Sequence, residues 1–166
     1  MKKFSLIILV LVVYFVGCDK GISPRVEPPR TGFSGKITFI GNWPADVYQT
    51  RVVAFRETIK TSADFNILNV GFISDTIPYG VNEFIYESDK NPLIPAQPST
   101  KLNYIVVAQS IVPNPAPIRA HWRVAGIYFD PNDTTKYGSV KIEEGIFKRN
   151  IDIVVDFNNP PAQPPN

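Results

Sequence analysis

Beyond residue 31 the chain repeatedly alternates apolar and polar positions with a period of two, and no long stretch keeps an apolar period of 3.6. Phe33–Ile40 (FSGKITFI) sets Ile37 and Phe39 on one face, and after the loop GNWPAD a second strand is predicted over Val47–Arg56. Residues 58–75 are ambiguous, reading either as a short strand over Ile67–Ile73 or as an irregular excursion with one helical turn before it. Tyr79–Glu87 predicts an edge strand whose charges discourage open-edge pairing. Three prolines make Asn91–Thr100 a loop, and Pro113, Pro115 and Pro117 force another. Between them Lys101–Ile111 is apolar on both faces around Tyr104–Ala108, as a central strand requires. His121–Phe129 alternates, with Trp122, Val124 and Tyr128 predicted on one face. Ser139–Glu143 is short, Glu144-Gly145 gives a turn, and Ile146–Phe157 returns. In that last stretch Ile151, Ile153, Val155 and Phe157 face one way and Asp152 and Asp156 the other.

The start of the chain obeys a different rule. Lys2 and Lys3 precede an almost wholly apolar run, Phe4–Val16, and a small residue, Gly17. That run of about 13 residues reaches roughly 20 Å as a helix, short of a hydrocarbon core of about 30 Å, so it reads as an export signal rather than a membrane span. Cys18 is the only cysteine in 166 residues, which excludes an intramolecular disulfide and leaves no thiol partners for a zinc site.

The run Phe15-Val16-Gly17-Cys18 resembles the lipobox of bacterial lipoproteins, although Phe15 stands where leucine is usual. The resemblance implies removal of residues 1–17 and acylation of Cys18 by a diacylglyceryl group and an acyl chain such as palmitate. The partner is then a lipid bilayer and the address the cell envelope, with the outer membrane favoured over the inner. More than one buried acyl chain makes such attachment stable. Without Lys2 and Lys3 the 17 basic residues become 15, against 15 acidic ones. The mature chain is thus formally neutral and has no basic footprint for nucleic acid. Residues 18–31 form a proline-containing linker that could span up to roughly 40 Å in polyproline II form, and 158–166 (NNPPAQPPN) form a second proline-rich segment expected to be disordered.

Residues 32–157 suit a single domain able to bury about two thirds of its unfolded surface. About seven strands with turn signals between them predict an all-β fold, a single antiparallel two-sheet sandwich. The segments SGKITFIG (34–41), RVVAF (51–55), NYIVVAQS (103–110) and SVKIEEGIFKRNIDIVVDF (139–157) resemble the carboxypeptidase regulatory-like and transthyretin-like domains. That resemblance implies a Greek-key sandwich of the prealbumin or immunoglobulin kind, acting as a structural or binding accessory module. It supplies no catalytic residues.

The residues offer little for catalysis. His121 is the only histidine and sits at a strand start after a proline loop, where an exposed or capping role is expected. No serine lies in a G-x-S-x-G elbow. Asp130-Pro131-Asn132-Asp133 gathers oxygen ligands, but Thr135 and Lys141 occupy the glycine and glutamate positions of an EF-hand loop, so a self-satisfied turn is predicted. Asp152 and Asp156 lie about 13 Å apart on a strand, beyond the range of about 6.5–9.5 Å for an inverting glycosidase pair. Glu143 and Glu144 point apart in a turn. No cofactor or metal site is expected, nor an enzyme. Aromatic residues give the one positive hint. Exposed Trp43 and Trp122 would stack on sugars, making a surface carbohydrate-binding module the alternative to an interaction module for envelope proteins. Buried, they would be core anchors.

Overall fold

The computed structural model describes residues 28–165; the expected signal sequence 1–17, Cys18 and most of the expected linker lie outside the described residues. Within them every regular element is a strand, apart from 3₁₀ turns at Ser62–Asp64 and Arg119–His121. In chain order the strands begin with β1 (Gly32–Ile40), β2 (Gln49–Phe55), β3 (Val70–Ile73) and β4 (Glu83–Glu87). They continue as β5 (Lys101–Leu102), β6 (Tyr104–Ser110), β7 (Trp122–Ile127) and β8 (Phe129–Asp130). The last are β9 (Asp133–Tyr137), β10 (Val140–Lys141), β11 (Phe147–Lys148) and β12 (Ile153–Asp156).

Two sheets dominate. In the first, β1 pairs antiparallel with β4 and parallel with β12, while β11 runs parallel beside Gly32 and Phe33. The second has the order β3-β2-β6-β7 and is antiparallel throughout. Short antiparallel ladders join β5 to β10 and β8 to β9.

The all-β expectation stands, but that of a wholly antiparallel arrangement of about seven strands is corrected. Ser139–Glu143 does not form a hairpin with the last stretch: Val140 and Lys141 pair with Leu102 and Lys101 instead. Glu144-Gly145 does turn the chain, with Gly145 at φ 71°, and Asn150 at φ 64° divides residues 146–157 into two short strands. The second of these lies alongside β1 in the same direction. Parallel pairing is slightly weaker per residue. The gain is complete burial of Ile153 and Val155, each worth about 1.5–3 kcal/mol relative to exposure. The ambiguous stretch 58–75 resolves as a helical turn, Ser62–Asp64, with the short strand β3 after it.

Facing residues of both sheets form one apolar layer. Phe33, Ile37 and Phe39 of β1 and Ile153 and Val155 of β12 meet Val52 and Ala54 of β2, Phe72 of β3, and Ile105 and Val107 of β6. The opposite face of the second sheet is apolar as well. There Val53, Phe55, Val70, Tyr104, Val106, Ala108, Val124 and Ile127 make a second cluster. A bulge explains how β7 serves both layers. Opposite Val107 and Ala108 the register slips across Ala125, so Trp122 and Val124 face the second cluster while Tyr128 joins the first. Tyr128 therefore does not share a face with Trp122 and Val124, because one extra residue reverses the alternation.

β7 is an edge strand, and the proline-rich tail covers it. The Gln163 carboxamide accepts from the Val124 amide and donates to the Val124 carbonyl, both at 2.8 Å. It thereby imitates a residue of a neighbouring strand. The Arg119 guanidinium donates to the Pro164 carbonyl at 3.1 and 3.2 Å. The tail, expected to be disordered, has no strand of its own yet is tied down at these two points.

Candidate functional site

The second sheet is apolar on both faces, and its outer face is only partly covered. Three loops rise around it and enclose a groove of about 540 Å³. Alternation along β2 supplies the floor: Gln49, Arg51, Val53 and Phe55 point outward while Thr50, Val52 and Ala54 point into the inner layer. Pairing sets the cross-strand rows. Gln49 lies level with Ser110 and Trp122, Arg51 with Ala108 and Val124, and Phe55 with Tyr104 and Val70. Ala108 has the smallest side chain on this floor and leaves space beside Arg51.

The walls are held by local chemistry. In the loop after β2, the Asp64 carboxylate accepts from the Lys60 and Thr61 amides at 2.9 and 2.8 Å, and these bonds hold its pKa below the usual carboxylate value. The Asn69 side chain accepts from the Glu57 amide and donates to the Asp64 carbonyl. Phe65 is thereby fixed over Phe55, their ring centres 5.6 Å apart. Opposite, Leu93 and Ile94 hydrogen-bond the backbone of Ile73 at 2.9–3.2 Å and extend the edge of β3. At the third wall the Ala116 amide donates to His121 Nδ1 at 2.9 Å, and its carbonyl accepts from Trp122 Nε1 at 2.9 Å.

Arg51 is the single charged residue lining the groove. It is half-buried, and its Nη1 donates to the Ser74 carbonyl at 2.8 Å. Among the described residues no carboxylate lies within ion-pairing distance of it. Ile67 and Leu93 line the groove and are exposed, and Asn66 and Asn114 are the other polar residues of the lining beside Gln49 and Arg51.

The structure does not bring Trp43 and Trp122 together. Trp43 packs on the inner layer against Phe39, Phe157 and Tyr79, with ring centres 4.5–5.2 Å away, and donates to the Val81 carbonyl at 3.0 Å. Trp122 is half-buried against the outer cluster and helps line the groove. Cys18 lies outside the described residues. His121 is committed to the loop it caps. In the Asp130–Asp133 turn, Asp130 accepts from the Asn132 amide and Asp133 from the Thr135 amide and hydroxyl. Glu143 pairs with Lys148, and Asp152 accepts from the Lys36 amide. Among the described residues no group of three potential metal ligands occurs.

Sequence reasoning did not assemble the groove. Its signal was the apolar run Tyr104–Ala108, which needs a cover on each face, beside outward-pointing Val53 and Phe55. In comparisons with known proteins, no family model, no curated protein and no solved structure matches the chain.

Proposed function

We propose that this chain is a lipid-anchored binding module of the bacterial cell envelope, non-catalytic, tethered through acylated Cys18 and recognising its ligand in the groove of the second sheet. The domain is read as a Greek-key sandwich of the carboxypeptidase regulatory-like or transthyretin-like kind. The outer membrane is the favoured address.

One observation carries the reading: a sheet face that would ordinarily be closed over is instead ringed by three pinned loops, leaving an apolar concavity with one cation unpaired among the described residues. Its volume falls within the range of about 300–1,000 Å³ common for ligand sites, and its mix of apolar walls and few polar groups is typical of them. The carbohydrate alternative draws on Trp122 in the wall. The indole N–H is already used, however, and the apolar lining favours an apolar ligand.

The test uses the full-length protein in cells, with a photo-crosslinking amino acid placed at Leu93 on the rim or at Ile85, exposed on β4. The reading predicts a discrete adduct from Leu93 and none from Ile85. Equal yields at the two positions would overturn it.

A further inference from the structure

We infer that the groove takes a free long-chain fatty acid, its carboxylate against Arg51 and its hydrocarbon lying along the floor toward Phe55 and Phe65. This rests on the reading of the groove as the binding site and names its ligand. From Arg51 to Phe55 the floor extends about 13 Å at roughly 3.3 Å per residue, and Phe65, its ring centre 5.6 Å from that of Phe55, carries the apolar surface further for a stretched acyl chain. Its polarity is graded. Gln49 and Arg51 stand toward one end, while Val53, Val70, Phe55 and Phe65 occupy the other.

Charge selects the headgroup. Nη1 of Arg51 is held by the Ser74 carbonyl and Nε donates to Gln49 Oε1 at 3.4 Å, while no partner for Nη2 occurs among the described residues. That leaves Nη2 as a charged donor in an apolar surround, and a carboxylate accepts a charge-assisted hydrogen bond from it. A neutral chain would leave that cation unmatched. A free fatty acid differs in this from the acyl groups expected on Cys18 itself, whose ester and amide linkages carry no charge. Ala108 beside Arg51 gives the headgroup room, and exposed Leu93 and Ile67 offer the chain an apolar entrance.

The experiment places the full-length protein in phosphatidylcholine vesicles with a palmitate analogue bearing a photoreactive diazirine on its chain, and maps the labelled peptides by mass spectrometry. Labelling is expected within Phe65–Val70 and at Leu93–Ile94. Palmitate should compete about tenfold more strongly than its uncharged methyl ester, as expected for loss of one charge-assisted contact. Arg51→Gln should reduce groove labelling about tenfold, and Arg51→Lys should retain most of it. Label confined to residues 1–27, or equal competition by palmitate and its ester, overturns the inference. The ester comparison needs no variant and so does not depend on how Arg51 substitutions fold. If palmitate fails while the Leu93 cross-linker still gains an adduct in cells, the fatty acid is wrong and the binding-module reading stands.

Discussion

The Tyr86 hydroxyl donates to the Ile151 carbonyl at 2.7 Å, joining β4 to the chain entering β12 across the face of β1. The crossing works because Gly35, directly opposite Tyr86 in register, has no side chain: a Cβ there would stand 1.9 Å from the same carbonyl oxygen. The parallel β1–β12 pairing is thus locked by a glycine and a tyrosine.

Removing either residue should loosen this lock to different degrees. Tyr86→Phe leaves a buried carbonyl without its donor and is expected to cost about 1–3 kcal/mol. Gly35→Ala requires the backbone at Ile151 to move and should cost more. Urea denaturation of the two variants checks the order, which reverses if Gly35 merely tolerates the crossing.

Stability should fall at both ends of the pH scale. Burial pushes the Tyr86 phenol well above its ordinary value. Its contribution is therefore complete below about pH 10 and is lost as pH rises through the higher folded value. Tyr86→Phe should remove that alkaline component. In acid, hydrogen bonds from Arg30 hold Glu87 and Asp89 below their usual values, and Arg123 does the same for Asp46. Their contributions are present above about pH 4 and are lost as pH falls through the lowered values. Arg30→Met should flatten the acid limb of urea midpoint against pH.

Gln163→Leu should uncover the edge of β7. The Val124 amide loses its acceptor and its carbonyl loses a donor. Hydrogen exchange at Val124 is expected to accelerate by about tenfold while exchange in β6 changes little. An unchanged Val124 rate would show that the tail contributes nothing to that edge.

Cys18→Ala should release the protein from membranes and abolish incorporation of a clickable fatty acid in growing cells, as loss of a stable multi-chain anchor requires. Retention of the label by the variant would place the acylation elsewhere.

How much of this could be read from the residues depends on the kind of information each signal encodes. Alternation at Ile37 and Phe39 and in Ile151–Phe157 foretold which side chains are buried, because a period of two assigns faces directly. It carries nothing about the partner strand, so the parallel seating of β12 beside β1 was invisible. The bulge that turns Tyr128 inward was equally hidden, since it arises from register against β6. The hairpin of β8 and β9 was missed because Asp133–Tyr137 is polar and mostly exposed, leaving no apolar row to detect. The groove combines outward residues of β2 and β6 with loops distant in sequence, and only the two-faced apolar run Tyr104–Ala108 hinted that something must lie above it.

Occupancy of the groove is read most directly by native mass spectrometry of the full-length protein released from its own membranes, wild type beside Leu93→Glu. Leu93 is exposed, so the variant alters the groove's rim and not its core. A noncovalent mass is expected on the wild type, beyond any lipid attached to Cys18, and should be depleted in the variant. A wild type carrying no such mass, or a variant carrying it equally, would contradict the assignment of this sheet face as the binding site.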